Sequence, residues 1–255
     1  MLELNKIYNE DCLTTLDKMC ENNVKVNVVL TSPPYNTSTG VNCKDPYHKR
    51  YNGNYKDIKT DDEYVSWITN IFNKIDKVLE KNGVVLFNIS YSAKKSSLYI
   101  RVLNDIICNT PFDIMDTMIW KKKTALPDNS SPNRLSRITE FVFIIARKNE
   151  SKTFQSNKEF LYKKGHLSFY QPILNFVEAP NNDKSTNLNK ATYSSELCEK
   201  LLSIYAKEND IVYDPFMGTG TTAIGAIRKK CRYIGSEIDS EQVEYSNERI
   251  KNEEQ

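Results

Sequence analysis

Metal-binding and disulfide patterns are missing from this 255-residue sequence. It contains two histidines, and its six cysteines are scattered with no CxxC pair among them. Zinc fingers and disulfide frameworks need closely spaced ligand or cysteine pairs, so the spacing excludes both patterns. We therefore expect no metal in the functional site and a protein of the reducing cytoplasm.

Long apolar runs and a strong net charge are also missing. No segment approaches the roughly 20 apolar residues that cross a membrane, and the N-terminal MLELNKIYNEDC lacks the basic start and apolar stretch of a signal peptide. We expect a soluble chain with no membrane partner. The 35 basic and 33 acidic residues leave a net charge of +2, so any contact with nucleic acid must depend on local patches.

Strands and helices alternate along most of the chain. Short β-branched runs predict the strands, and apolar residues at helical spacing predict the helices. The predicted strands are Val26–Leu30, Val84–Ile89, Ile114–Trp120, Phe141–Ala146, Ile211–Tyr213 and Tyr233–Ser236. The predicted helices run from an Asp61 or Asp62 cap to Gly83, over Ser97–Cys108, and from Ser194, Thr221 and Glu241. This alternation is typical of a doubly wound, mostly parallel α/β sheet.

Two segments interrupt this alternation. Lys121–Ile138 combines basic residues with Pro, Ser and Asn, which predicts an exposed loop. Residues 150–188 are dense in Lys and Asn, contain scattered aromatic residues and follow no strand or helix period. They are the candidate insertion.

Two glycines, Gly218 and Gly220, lie between the predicted strand Ile211–Tyr213 and the helix from Thr221. Because glycine has no Cβ, the backbone there can adopt positive φ and approach a ligand closely. The free N–H groups of the helix start suit a carboxylate and a phosphate equally. Ala223 replaces the third glycine of a GxGxxG pattern, which disfavours a dinucleotide. A GxG pair by itself could also form a tight turn without a ligand.

Glu237 directly follows the next predicted strand, Tyr233–Ser236. A carboxylate at this point can accept hydrogen bonds from both hydroxyls of a ribose. Together with the glycine turn, Glu237 therefore indicates a cofactor that contains a nucleoside. A solvated carboxylate at a strand end is the alternative.

The segment Ser32-Pro33-Pro34-Tyr35 follows the predicted strand Val26–Leu30. An amino group on cytosine or adenine is a poor nucleophile, because its lone pair is delocalised into the ring. Ser32 Oγ and the Pro33 carbonyl could accept the two amino hydrogens and direct the lone pair toward a methyl donor. The prolines stiffen the turn, and Tyr35 offers a ring on which an extruded base can stack. A Pro-Pro pair that only ends the strand is the alternative.

TSPPYN at 31–36 and DPFMGTGTT at 214–222 resemble the catalytic and cofactor motifs of the amino DNA methyltransferases, and their order resembles the beta class of that family. Further similar segments are LEKNGVVLFNIS at 79–90, ITEFVFIIARK at 138–148 and NKATYSSELCEKLLSIYA at 189–206. The resemblance implies S-adenosylmethionine as cofactor. The residues it assigns to the cofactor are Asp11, Asp214, Pro215, Phe216, Gly218, Gly220, Thr221 and Glu237.

The resemblance also implies the fold and its division. We expect a seven-stranded, Rossmann-like methyltransferase sheet with a catalytic half at 1–149 and a cofactor-binding half at 189–255. The insertion at 150–188 would be a small target-recognition region, although a spacer is the alternative.

Double-stranded DNA is the implied partner. The candidate phosphate or base contacts are Lys121, Lys122, Lys123, Arg134 and Arg137. A solvated basic loop would explain the same residues. Beta-class relatives are commonly dimers, which implies a homodimer by analogy, and a restriction-modification system would add a separately acting cognate endonuclease.

The residue before Pro-Pro-Tyr bears on the methylated base. In the family, Ser at this position is associated with cytosine N4 and Asp with adenine N6, so we favour cytosine N4 and keep adenine N6 as the alternative. RNA and protein glutamine amides are rival substrates, but glutamine methyltransferases usually carry Asn before Pro-Pro-Tyr. A non-catalytic nucleic-acid-binding module is a second rival, which the intact SPPY and glycine turns disfavour.

Overall fold

The computed structural model describes residues 2–36, 59–91, 95–126, 132–133, 135–184 and 192–254. The strands are β1 (Lys6–Tyr8), β2 (Val26–Thr31), β3 (Leu79–Asn88), β4 (Phe112–Leu126), β5 (Arg137–Arg147), β6 (Phe160–Lys164), β7 (Leu167–Tyr170), β8 (Phe176–Ala179), β9 (Ile211–Asp214) and β10 (Arg232–Ser236). The helices are α1 (Cys12–Glu21), α2 (Asp61–Val78), α3 (Leu98–Asn109), α4 (Ser195–Tyr205), α5 (Thr221–Arg228) and α6 (Ser240–Glu253). A short 3₁₀ turn covers Lys148–Glu150.

Eight strands form one sheet in the order β1-β10-β9-β2-β3-β5-β4-β8. Neighbours are parallel from β1 to β3 and between β4 and β8, whereas β5 is antiparallel to both β3 and β4. The mostly parallel, Rossmann-like prediction is confirmed. The expected number of seven strands is wrong for the described residues, because β8 pairs with β4 and adds an eighth strand at the edge.

Helices cover both faces of the central strands. Successive residues of a strand point to opposite faces, so a strand that is apolar throughout must be covered on both sides. Val28 of β2 belongs to one buried cluster with Leu197 of α4 and Ile224 of α5. Val29 belongs to the opposite cluster with Ile75 of α2. The VNVVLT run of β2 therefore encodes a central position in the sheet.

Helix α2 begins and ends earlier than its sequence pattern predicts. Thr60, rather than Asp61 or Asp62, is the N-cap, and it forms a capping box with Glu63. The helix ends at Val78, and the residues up to Gly83 already belong to β3, which pairs with β2. Pairing across the sheet overrides the helical spacing at this end.

Much of the predicted loop at Lys121–Ile138 is strand instead. β4 continues through Lys121, and β5 starts at Arg137. The reason is antiparallel pairing, which aligns Trp120 with Glu140 and Lys121 with Thr139. Cross-strand contacts of this kind are invisible in the local composition.

The segment at 150–188 contributes to two different sheets. β6 and β7 form a separate two-stranded hairpin whose residues are all exposed. β8 joins the main sheet beside β4. The β6-β7 hairpin is thus the part of this segment that pairs outside the main sheet. The insertion at 150–188 and its role in target recognition stay predictions.

No helix in the described ranges has the length and apolar character to cross a membrane. Within the same ranges, no cluster of three or more His, Cys, Asp or Glu side chains is arranged to bind a metal ion.

Candidate active site

The two motif turns lie side by side where the central parallel strands end, at the carboxyl-terminal edge of the sheet. β2 and β9 are parallel neighbours, with Val28 opposite Val212. Both strands end at this edge, β2 before Ser32 and β9 at Asp214. Thr31 Oγ1 donates a 2.7 Å hydrogen bond to Asp214 Oδ1, which joins the turns directly. The fold therefore brings the two motif turns into contact.

Asp214 is a buried acceptor at the centre of this junction, with 1% of its surface exposed. Besides Thr31, its Oδ1 accepts from Phe216 N at 2.9 Å, and its Oδ2 accepts from Thr222 Oγ1 at 2.5 Å and from the Tyr193 hydroxyl at 3.1 Å. Burial raises the pKa of Asp214, and these donors oppose that shift. The carboxylate thus holds the turn together from inside the protein, so its predicted contribution to cofactor binding is an indirect one.

The glycine turn needs glycine at two positions. Gly218 has φ of 54° and Gly220 has φ of 80°, both in the left-handed region. A Cβ on Gly220 would also lie 3.1 Å from Ser246 Cβ of α6. Ser246 Oγ donates to the Gly218 carbonyl at 2.8 Å, so α6 fills the space behind the turn.

Glu237 is held beside this turn. Its Oε2 accepts from Gly218 N at 2.9 Å, and its Oε1 accepts from Asp239 N at 2.9 Å. Each carboxylate oxygen has a second lone pair that can accept from a ribose hydroxyl. Burial raises the pKa of Glu237, and the two backbone N–H groups counteract this shift. The glycine backbone and the oriented carboxylate fit a nucleoside cofactor.

Asp11 lies at the same edge of the sheet. β1 pairs with β10, and Asn9 Nδ2 donates to the carbonyls of Glu237 and Ile238 at 3.0 and 3.1 Å. Asp11 itself is exposed and caps α1, accepting from Leu13 N at 2.8 Å. The capping bond explains its position, and its predicted contact with the cofactor adenine stays a prediction.

An aromatic pair lies next to the glycine turn. Phe216 is half-buried, and its ring centroid is 5.4 Å from that of Trp67 on α2. Lys59 Nζ lies 4.8 Å from the Trp67 ring centroid. Pro215 is buried. Phe216 therefore has one side on Trp67, and its predicted place at the cofactor stays a prediction.

Thr221 is buried at the start of α5. Its side chain is 4% exposed, and its Oγ1 accepts from Arg249 Nη1 at 3.1 Å. Arg249 also donates to the Thr219 carbonyl at 3.2 Å and forms an ion pair with Asp183. These contacts explain the position of the Thr221 side chain, and its predicted contact with the cofactor stays a prediction.

Tyr35 lies within reach of several acceptors. Ser32 Oγ donates to its hydroxyl oxygen at 3.5 Å, and the same oxygen is 3.4 Å from both Glu140 Oε2 and the Asn88 carbonyl. Burial, followed by the nearby Glu140 carboxylate, raises the pKa of Tyr35 well above its usual range. The hydroxyl therefore remains a donor at neutral pH. Pro33 is buried beneath the turn, and Pro34 is half-buried.

A small hollow opens beside the Tyr35 ring. Tyr64, Ile89, Lys95 and Tyr99 are among the residues that line it. Together with Tyr35, these residues give the hollow a lining that includes three tyrosine side chains.

Two of the predicted DNA contacts form exposed ion pairs. Lys121 Nζ is 2.8 Å from Glu178 Oε2, and Lys123 Nζ is 3.5 Å from Glu196 Oε2. Exposed pairs of this kind contribute about 0–1 kcal/mol, so both lysines can exchange a carboxylate for a phosphate.

The other predicted contacts differ from these. Lys122 pairs with Glu140, and both side chains are about one-fifth exposed. Arg137 Nη1 donates to the Tyr91 carbonyl at 3.1 Å, and its guanidinium lies 4.9 Å from the Tyr91 ring centroid. Arg134 lies outside the described residues.

Five residues at this edge were not predicted from the sequence: Thr31, Trp67, Asn88, Glu140 and Tyr193. Four of them lie in segments that resemble the family, so the resemblance could have drawn attention to them. Their partners come from distant parts of the chain, and no local pattern reveals those contacts.

Comparison with known proteins gives a consistent result. The family model described as DNA methylase matches residues 26–248. The orphan methyltransferase M.BamHII of Bacillus amyloliquefaciens is 27% identical over 267 residues, covering 89% of each chain.

Two solved structures have a similar fold. The cytosine-N4-specific PvuII DNA methyltransferase is 19% identical with a TM-score of 0.70, covering 99% of this chain and 92% of its own. M1.HpyAVI in complex with S-adenosylmethionine is 22% identical with a TM-score of 0.63, covering 96% of this chain and 98% of its own.

The family match spans most of the chain and includes both motif turns, which the fold brings to one edge. The chain belongs to the DNA methylase family, the amino (N6/N4) DNA methyltransferases that take their methyl group from S-adenosylmethionine.

Proposed function

We propose that this chain transfers a methyl group from S-adenosylmethionine to the exocyclic amino nitrogen of a base flipped out of double-stranded DNA, with cytosine N4 as the favoured base. The observation that carries the proposal is the hydrogen bond from Thr31 Oγ1 to Asp214 Oδ1. It fixes the catalytic turn, Ser32–Tyr35, beside the cofactor turn, Asp214–Gly220. The methyl donor and the amine that accepts the methyl group can therefore share one cleft.

The cofactor supplies an electrophilic methyl group on a sulfonium centre. Glu237 would accept hydrogen bonds from its ribose, and the backbone of Gly218 and Gly220 allows it to approach the turn closely. Phe216, supported by Trp67, provides an apolar wall beside it.

The catalytic turn acts on the base. Ser32 Oγ and the Pro33 carbonyl accept the two amino hydrogens, which favours a pyramidal nitrogen whose lone pair points at the methyl group. The Tyr35 ring stacks on the flipped base. Adenine N6 needs the same two acceptors and remains the alternative, while the serine at position 32 favours cytosine.

The β6-β7 hairpin is the candidate for target recognition. Its exposed aromatic pairs, Tyr162 with Phe169 and Phe160 with Tyr170, lie beside Lys163 and Lys164. Lys121, Lys123 and Arg137, and Arg134 outside the described residues, complete the proposed DNA contacts. A homodimer and a separately acting endonuclease remain proposals by analogy.

The test is methyl transfer by purified protein from tritiated S-adenosylmethionine to unmethylated double-stranded DNA, followed by nucleoside analysis. We expect label in N4-methylcytosine. Label in N6-methyladenine would overturn the choice of base. Label no higher than with the Ser32→Ala variant would overturn the proposed function.

A further inference from the structure

We infer that Glu140 is a positioning residue for the proposed reaction: through Tyr35 it fixes the hydroxyl of Ser32 as an acceptor for the target amine, and Lys122 is its counter-ion rather than a phosphate contact. The inference rests on the proposed function. It concerns a carboxylate that no motif assigns to the site.

Glu140 reaches the catalytic turn from a strand two positions away in the sheet. It lies on β5 opposite Trp120 of β4. Its Oε2 is 3.4 Å from the Tyr35 hydroxyl oxygen and 3.3 Å from Asn88 Nδ2. Its Oε1 forms the ion pair with Lys122. Both carboxylate oxygens are therefore engaged, one by the catalytic turn and one by a cation.

The Tyr35 hydroxyl carries one hydrogen but has several acceptors around it. Glu140 is the charged one among them, and hydrogen bonds to an ionised acceptor are roughly twice as strong as those to a neutral one. Tyr35 therefore donates to Glu140. Its oxygen is then left to accept from Ser32 Oγ, which is 3.5 Å away.

This direction of donation matters for Ser32. A serine hydroxyl can donate or accept, and in the proposed chemistry it must accept a hydrogen from the target amine. When its own hydrogen points toward Tyr35, its lone pairs remain for the amine. The chain Ser32 to Tyr35 to Glu140 thus selects the useful orientation, and each bond polarises the next.

The ion pair with Lys122 stabilises the Glu140 carboxylate in its half-buried position. A half-buried charge without a partner is costly, and the ion pair compensates it. Lys122 Nζ also lies 5.0 Å from the Trp120 ring centroid, which holds the ammonium against the sheet. Lys121 and Lys123, its neighbours along β4, pair instead with exposed acids at the surface.

The contacts of the Tyr35 hydroxyl with Ser32 and with Glu140 are both long. Hydrogen bonds of 3.4–3.5 Å are weak, and catalytic hydrogen bonds often shorten only when the substrate is present. A base stacked on the Tyr35 ring would shorten the hydrogen bonds that join Ser32, Tyr35 and Glu140.

The first experiment compares Glu140→Ala, Glu140→Gln and Tyr35→Phe with the wild type. We expect Glu140→Ala to lower kcat by about tenfold to a hundredfold, with an unchanged dissociation constant for S-adenosylmethionine. Glu140→Gln should recover part of the loss, because its carbonyl can accept from Tyr35. The double variant Tyr35→Phe/Glu140→Ala should be no slower than Tyr35→Phe alone, because both changes break the same chain.

Glu208→Gln is the matched control, since it removes the same charge from an exposed ion pair with Lys230. It should leave kcat unchanged. Thermal unfolding of every variant separates a loss of folding from a loss of positioning. An active wild type with unaltered kcat in Glu140→Ala, or fully additive losses in the double variant, would overturn the inference. A wild type without methyl transfer would instead overturn the proposed function.

A second experiment tests the role of Lys122 through salt. Removal of a phosphate contact lowers the slope of log Kd against log salt by about 1, so we expect that change for Lys121→Ala and Lys123→Ala. Lys122→Ala should keep the wild-type slope and lose kcat. A reduced slope with an unchanged kcat would show that Lys122 is a phosphate contact and would overturn its role as counter-ion.

Discussion

The cofactor turn and the catalytic turn differ in how firmly their polar groups are held. At the cofactor turn, Asp214 and Glu237 accept hydrogen bonds of 2.5 to 3.1 Å from hydroxyl and backbone donors. At the catalytic turn, the contacts of Tyr35 are 3.4–3.5 Å long. The polar groups of the first turn are therefore fixed by the protein itself, whereas the longer contacts of the second turn can shorten when a substrate base binds.

The largest expected effect comes from the residue that joins the two turns. Asp214→Ala would remove the buried acceptor of Thr31 Oγ1 and Phe216 N, and the Thr222 and Tyr193 hydroxyls, which lie 2.6 Å apart, would keep each other as partners. We expect a loss of about 3–5 kcal/mol in the free energy of unfolding, because each buried donor left without an acceptor costs about 1–3 kcal/mol. Chemical denaturation measures it. A loss below about 1 kcal/mol would contradict the view that Asp214 holds the junction.

The next effect separates the two turns by function. Ser32→Ala and Tyr35→Ala should each lower kcat by about 10²–10³-fold, because both side chains act on the base. The dissociation constant for S-adenosylmethionine should stay within about twofold of the wild-type value. Titration calorimetry and single-turnover transfer measure the two quantities. Equal losses of kcat and cofactor affinity would refute the assignment of these residues to the base.

Substitution of Glu237 should affect cofactor affinity rather than the methyl-transfer step. Glu237→Ala should weaken cofactor binding by about tenfold to a hundredfold, because hydrogen bonds between ribose hydroxyls and a carboxylate contribute roughly 1.5–3 kcal/mol. An unchanged dissociation constant would show that the ribose assignment is wrong.

The pH dependence of cofactor binding tests the assignment of Glu237 to the ribose. Burial raises the pKa of Glu237, so its carboxylate is protonated at a higher pH than an exposed glutamate. A protonated oxygen accepts more weakly, and cofactor affinity should therefore fall as pH falls through this raised pKa. Titration of cofactor binding against pH measures the effect, and Glu237→Gln should flatten the curve. The same acid dependence in Glu237→Gln would assign it to another group.

The smallest effect concerns the backbone of the glycine turn. Gly220→Ala should destabilise the chain by about 1–2 kcal/mol, because it combines positive φ with a crowded contact at Ser246. Gly165→Ala is the matched control, since it has φ of 61° with nothing within 4 Å of the added carbon. The loss of stability in Gly165→Ala should be smaller, because the added Cβ has no crowded contact like the one with Ser246. Equal losses in thermal unfolding would mean that φ alone requires glycine at 220.

Most of the element types were predictable because periodicity reports burial. β2 and α2 were both located by apolar spacing that the two-faced core explains. The failures share one cause. β4 extends into the predicted loop, and β8 adds an eighth strand, because both depend on pairing with a strand from another part of the chain. The short β1 and the helix α1 were not predicted, although Cys12, Leu16 and Met19 share the buried face of α1 at helical spacing.

By itself the sequence determined the two motif turns, the residue types able to localise an amine lone pair, and the carboxylate suited to a ribose. These are local properties, set by a few adjacent residues and by their position after a strand. Only the tertiary structure decided that Asp214 faces inward, that Thr221 turns toward Arg249, and that Glu140 reaches Tyr35. The physical reason is that side-chain direction and hydrogen-bond partners are set by which strands and helices become neighbours, and that arrangement is a property of the whole fold.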